Sequence, residues 1–366
     1  MEPIKQDLEK SVERLIVVIA AIMCMNIPMQ CFGKDVSSMY IIKELESSKA
    51  GYERNIRFNY EKVIKPVLRK QELAVLDKVE LEFPFKDRGG DPFRFYAKVG
   101  RERRSIVMPI FSVKFVDDLA TTTAWLGVKG FAKDTLHEYI SLLKYRKAKE
   151  FPHGRYPPPL EALHIPSNAL EDKNVDELAQ DLLKTTVIYI LSRELASHYF
   201  DRPYNAKKAS WNQHQERSQH IAMEWGGKFT RPQDLMLQCD AFALEIMRRI
   251  GIPPHRLTFY LSAQTYWTQN HIDFRNDEEV YMRYWHNPPE YAMFPDRLHQ
   301  ISDLMKWGKE DYVRQKDNKE KNISKIEQSA TEIFKLSYIL EKQSIQWDIK
   351  QKASELRIDD LRPRRR

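Results

Sequence analysis

The sequence predicts an α+β protein, predominantly helical, with one small antiparallel sheet. Three observations carry that reading. Only 12 glycines occur in 366 residues while 30% are charged, a composition suited to helices rather than to many tight turns. Apolar residues recur at three- and four-residue steps over most of the chain. Between about 79 and 126 the texture changes to short runs rich in β-branched and aromatic residues.

At 42% hydrophobic and 11% aromatic residues the chain has material for a core, which excludes wholesale disorder. The net charge of +7 is modest, and part of it lies in Arg362, Arg364, Arg365 and Arg366. That tail reads as a solvated terminus. With no interleaved aromatics and no recognised module, it does not make a specific nucleic-acid interface. Cys24, Cys31 and Cys239 are too few and too scattered for a disulfide framework or a zinc ribbon, and they fit a reducing compartment.

Three regions follow along the chain. Residues 1–78 form an N-terminal helical region, with apolar positions at helical spacing through Tyr60, Val63, Ile64, Val67 and Leu68. Within it, residues 15–25 (LIVVIAAIMCM) are uninterruptedly apolar. They are too few to span a bilayer, which takes about 20. The preceding flank mixes Glu2, Asp7, Glu9 and Glu13 with Lys5, Lys10 and Arg14, unlike the basic flank of an export signal. Residues 15–29 are therefore read first as a core helix of a cytoplasmic protein, with an export or membrane-anchoring signal as the alternative. A membrane partner enters only through that alternative.

Residues 79–305 make the central domain. The runs VELEFPF, FRFYAKV and SIVMPIFSVKF, separated by DRGGD and GRERR, read as strands. A proline-laden connector at 152–166 follows. A helix capped by Asn174 then carries Val175, Leu178, Ala179, Leu182, Leu183, Val187, Ile190 and Leu191 at helical steps. A second helix starts near Pro232 and runs to Ile250, where Gly251 and Pro253–Pro254 stop it. Residues 306–366 are a charged helical extension, with Ile323, Ile326, Ala330, Ile333 and Leu340 as one apolar stripe.

The chemistry-bearing residues lie on the two central helices. Arg193-Glu194-Leu195-Ala196-Ser197 resembles the HExxH motif of zinc metallopeptidases, with Arg193 and Ser197 at the histidine positions. In such enzymes two histidines four residues apart share a helix face and bind one zinc, and the glutamate between them deprotonates the metal-bound water. Met236 to Asp240 resembles the ExxAD segment of the HtpX-like family, with Met236 at the third ligand position and Asp240 at the aspartate. FPDRL at 294–298 resembles that family's HP-x(3)-RL segment, with Tyr291 at the histidine position and Arg297 retained. The resemblance spans roughly 175–300. It implies a zincin-like helical core and an edge strand beside the 175–198 helix.

It also implies that catalysis is lost. Arg193 has no lone pair to give a metal. Ser197 is a poor zinc ligand, and Met236 offers a soft thioether that zinc seldom takes. Without a metal, Glu194 holds the position of the base with no acidified water to act on. The expectation is a catalytically inactive homologue with no cofactor, binding a protein or peptide or regulating one. Arg193 is expected to replace the zinc charge by pairing with Asp240 across the two helices, in preference to its sequence neighbour Glu194. Arg193→Ala is then expected to cost more stability than Asp240→Asn.

Two alternatives stand beside this. One is a metal-dependent hydrolase with zinc at a relocated site of Glu194, His198 and Asp240, with His214 and His220 nearby in sequence. The other is a helical structural or interaction protein unrelated to zincins.

Overall fold

Helix α1 (Ile42–Phe58) leads through α2 (Lys70–Leu76) into three short strands: β1 (Glu80–Glu82), β2 (Tyr96–Val99) and β3 (Arg104–Val107). Helices α3 (Ile110–Val128), α4 (Asp134–Tyr145), α5 (Pro159–Ala162), α6 (Lys173–Tyr199), α7 (Leu235–Ile250) and α8 (Thr258–Thr268) follow. The chain closes with α9 (Pro295–Trp307), α10 (Lys319–Glu341) and α11 (Gln343–Glu355). The computed structural model describes residues 35–87, 89–99, 103–200, 235–268, 295–312 and 319–365. The chain divides into two compact units, Met1–Gly33 and Lys34–Arg366. The first lies outside the described residues, and with it the expectations for residues 15–29. Among the described residues no helix is long and apolar enough to cross a membrane.

The mostly helical α+β expectation holds, but the sheet is mixed rather than antiparallel. Its order is β1-β3-β2, with β1 parallel to β3 and β2 antiparallel to it. The parallel pair arises because the β2–β3 hairpin folds back so that β3, not β2, lies beside β1. The third run is strand only to Val107. From Ile110 it is helix α3, although the apolar run IFSVKF reads equally as a strand. Pro109 marks the change, being well suited to the position before a helix, and fourteen residues of α3 are buried, so the run is apolar because it is core.

Helix α6 organises the interior. It is capped by Asp172, whose carboxylate accepts from Asn174 N at 3.0 Å, so Asn174 lies within the first turn rather than at the cap. From Thr185 to Tyr199 every residue is buried. A helix buried on all sides must satisfy its polar side chains internally, and this stretch carries Arg193, Glu194, Ser197 and His198. It packs against α3 and α7 and meets β2 and β3. Helix α9 packs on α7 and on α10, whose Ile326, Ala330 and Ile333 are fully buried as the stripe predicts. Gly251 ends α7 with φ of 82°, a conformation that glycine adopts at no steric cost.

The basic tail departs from the solvated-terminus expectation. Leu361 is fully buried, Ala132 N donates to Arg364 O at 2.8 Å, and Arg365 forms an antiparallel bridge with Phe131. The Arg364 side chain stays 58% exposed beside Glu138, so the backbone docks while the charge keeps its water.

Candidate functional site

Four separate segments converge where the sequence placed the chemistry. Arg193 and Glu194 come from the buried half of α6, Met236 and Asp240 from α7, Arg297 from α9, and Ala97 from β2. Asp240 is the hub. Its Oδ1 accepts from Arg193 Nε at 3.1 Å, from Arg297 Nη2 at 2.9 Å and from the Tyr189 hydroxyl at 2.8 Å. Its Oδ2 accepts from Arg297 Nε at 2.6 Å. Burial alone would raise this carboxyl's pKa, but the adjoining Arg297 and Arg193 guanidiniums outweigh that and hold it below the usual carboxylate range.

The expected Arg193–Asp240 cross-brace is present, with Asp240 fully buried and Arg193 nearly so. The expectation that Arg193 prefers Asp240 to Glu194 does not hold. Arg193 Nη1 lies 2.6 Å from Glu194 Oε1, closer than its contact with Asp240. The two Cα–Cβ bonds diverge, but the guanidinium is long enough to fold back across the helix surface and serve both acids. Arg193 Nη2 also reaches the Met236 thioether at 3.6 Å.

The other oxygen of Glu194 accepts from Ala97 N of strand β2 at 2.9 Å. The strand thus lies beside the helix, as the resemblance implied, and one of its outward donors is already engaged. The Ser197 hydroxyl lies 3.6 Å from Cys239 Sγ and 3.5 Å from Arg193 O. Between these groups and Phe93, Phe95, Tyr260 and Gln264 remains a cavity of about 10 Å³, room for roughly one water. The Tyr260 ring is only 3% exposed and helps line it.

This donor set does not fit zinc. A guanidinium fills the space that joins Glu194, Met236 and Asp240, and every oxygen of the two carboxylates is engaged by a donor. The relocated set of Glu194, His198 and Asp240 is not assembled either. His198 Nε2 lies 2.9 Å from the Ser105 carbonyl on β3, so that nitrogen carries the proton and turns toward the sheet. Among the described residues no group of three or more His, Cys, Asp or Glu side chains is placed to hold a metal. His214, His220 and Tyr291 lie outside the described residues.

Sequence reasoning missed several members of the site. Tyr189 sits four residues before Arg193 and so on the same helix face, a signal that was available. The Arg297–Asp240 pair, the backbone donor Ala97 and the covering Phe93 and Phe95 join segments distant in sequence, and no local pattern announces them. No family model, curated protein or solved structure matches the chain.

Proposed function

We propose that the chain is a catalytically inactive relative of the HExxH zinc metallopeptidases, serving as a protein-binding or regulatory module. One observation carries most of this reading. Arg193, at the first ligand position, bonds at once to the residues at the base position (Glu194), the third ligand position (Met236) and the second-helix aspartate (Asp240). The gathering of these four motif positions with Arg297 in one buried knot beside a strand edge supports the reading. In this reading Zn²⁺, two positive charges between helices, has been exchanged for the single guanidinium of Arg193, which braces α6 to α7 beside the retained Arg297.

A binding role follows from what is kept: the scaffold, without the metal that would cut. An extended peptide adding to the β2 edge must do without Ala97 N–H or displace Glu194 from it. The test is metal analysis of protein purified without chelator, paired with a peptide-hydrolysis assay. The expected outcome is well under one zinc per chain, a melting temperature unmoved by chelator, and no hydrolysis. Stoichiometric zinc that stabilises the fold would overturn the reading.

A further inference from the structure

A second cleft, of about 510 Å³, opens between α7, the segment leading into α2, and the turn after α9. Its lining is Val67, Arg69, Glu245, Arg248, Arg249 and Asp311, none of which belongs to the Arg193–Asp240 site. Its size lies within the range of roughly 300–1,000 Å³ typical of small-molecule sites.

Glu245, fully buried on α7, organises the cleft. Its carboxylate accepts from Arg248 Nε at 2.7 Å and Nη2 at 3.0 Å, and from Arg249 Nε at 2.9 Å. Fully buried Glu72 holds Arg249 from another side, through Nη1 at 2.6 Å and Nη2 at 3.0 Å. Two guanidiniums are therefore fixed from behind by acids that cannot leave without stranding a buried charge. The remaining edge of Arg248 is different. Its Nη1 donates to Asp311 Oδ2 at 2.9 Å, and the Asp311 side chain is 59% exposed. Exposed Arg69 stands on the rim.

The three carboxylates thus differ in how easily they are replaced. An exposed ion pair contributes little, so Asp311 can swing into water at small cost. A phosphate offers the Arg248 fork more oxygens and more charge than Asp311 does. We propose that this cleft binds a small phosphate-bearing molecule, with Arg248 exchanging Asp311 for the phosphate and Arg69 meeting it from the rim. Asp311 then acts as a built-in competitor for the Arg248 fork.

Calorimetric titration of the full chain with inorganic pyrophosphate in low-chloride buffer tests this, with citrate as a carboxylate control. Saturable one-site binding of pyrophosphate, with citrate much weaker, is expected. Asp311→Asn should tighten it about threefold by removing the competitor, and Arg69→Ala should weaken it about tenfold. Arg248→Lys, which keeps the charge and loses the fork, should weaken it similarly. No saturable binding even to Asp311→Asn, equal binding of citrate, or an affinity indifferent to both Asp311→Asn and Arg69→Ala would overturn the proposal and leave the arginines as a brace.

Discussion

Arg297 meets Asp240 fork to fork: Nε lies 2.6 Å from one carboxylate oxygen and Nη2 2.9 Å from the other, with both residues buried. This pair ties α9 to α7, while Arg193 ties α6 to the same carboxylate. Asp240 therefore balances two buried guanidiniums.

The expectation from the sequence is that Arg193→Ala costs more than Asp240→Asn; this arrangement predicts the reverse order for Arg193→Met and Asp240→Asn. Arg193→Met leaves Asp240 with Arg297 and Tyr189, and leaves Glu194 with the Ala97 amide. Asp240→Asn removes the carboxylate that touches both Arg193 and Arg297, with Arg193 keeping Glu194. Asp240→Asn should cost about 3–5 kcal/mol, the range for breaking a buried pair, and Arg193→Met should cost less. Urea unfolding of the two variants checks the order. A larger loss for Arg193→Met would mean that Asp240 is not the hub.

Two histidines set an acid-side dependence. Burial lowers His137 to about 4, with Asp134 opposing and Lys133 reinforcing the shift, while the ring stays 2.6 Å from the Ser262 hydroxyl. Burial, reinforced by Lys325, lowers His255 to about 4 as well. Both rings stay neutral in the folded chain down to that pH, whereas in the unfolded chain they gain a proton near 6.5. Unfolding thus takes up protons in this window, and these two residues withdraw stability as pH falls from about 6.5 toward 4. Asp91, Asp117 and Asp118, raised by burial, act in the opposite sense. The informative quantity is therefore a difference between proteins. A His137→Gln, His255→Gln double variant should lose less melting temperature than its parent between pH 6.5 and 4. Parallel curves would refute the assignment.

How far the sequence foretold this depends on the range of each interaction. The long central helices were legible, because burial of one face leaves a local apolar period. Asp240 facing Arg193 was legible too, because a buried carboxylate needs a cation and Arg193 stands at a ligand position. The parallel β1–β3 pair and the helical nature of IFSVKF were not legible. Strand partners are chosen across the chain, and a short fully buried run has no period. The docked tail was missed for a related reason. Four arginines read as solvated, yet a buried Leu361 and the backbone bond of Ala132 to Arg364, beside the Phe131–Arg365 bridge, hold the segment.

Arg146 should be the residue that keeps the C-terminal extension in place. Its guanidinium donates to the carbonyls of Ala353, Ser354 and Leu356 at 3.0, 2.7 and 2.5 Å, capping the end of α11. Arg146→Ala should destabilise by roughly 1.5–3 kcal/mol, the usual range for hydrogen bonds to a charged group, and speed amide exchange selectively within 343–361. Unchanged exchange there would show that other contacts hold the extension.

The proposed ancestry is tested most directly by restoring the ligands. In the Arg193→His, Ser197→His, Met236→Glu triple variant, three zinc donors would stand on α6 and α7 with Glu194 between the histidines. Asp240 would keep Arg297 as its counter-charge. Zinc titration of this variant, with folding verified by circular dichroism, should show one site with a Kd of about 1 μM or tighter, against none in the parent. Hydrolytic activity is not required, since the partners that orient metal-bound histidines are not rebuilt. A folded triple variant that takes up no zinc would contradict the account, because positions 193, 197 and 236 would then not surround a former metal site.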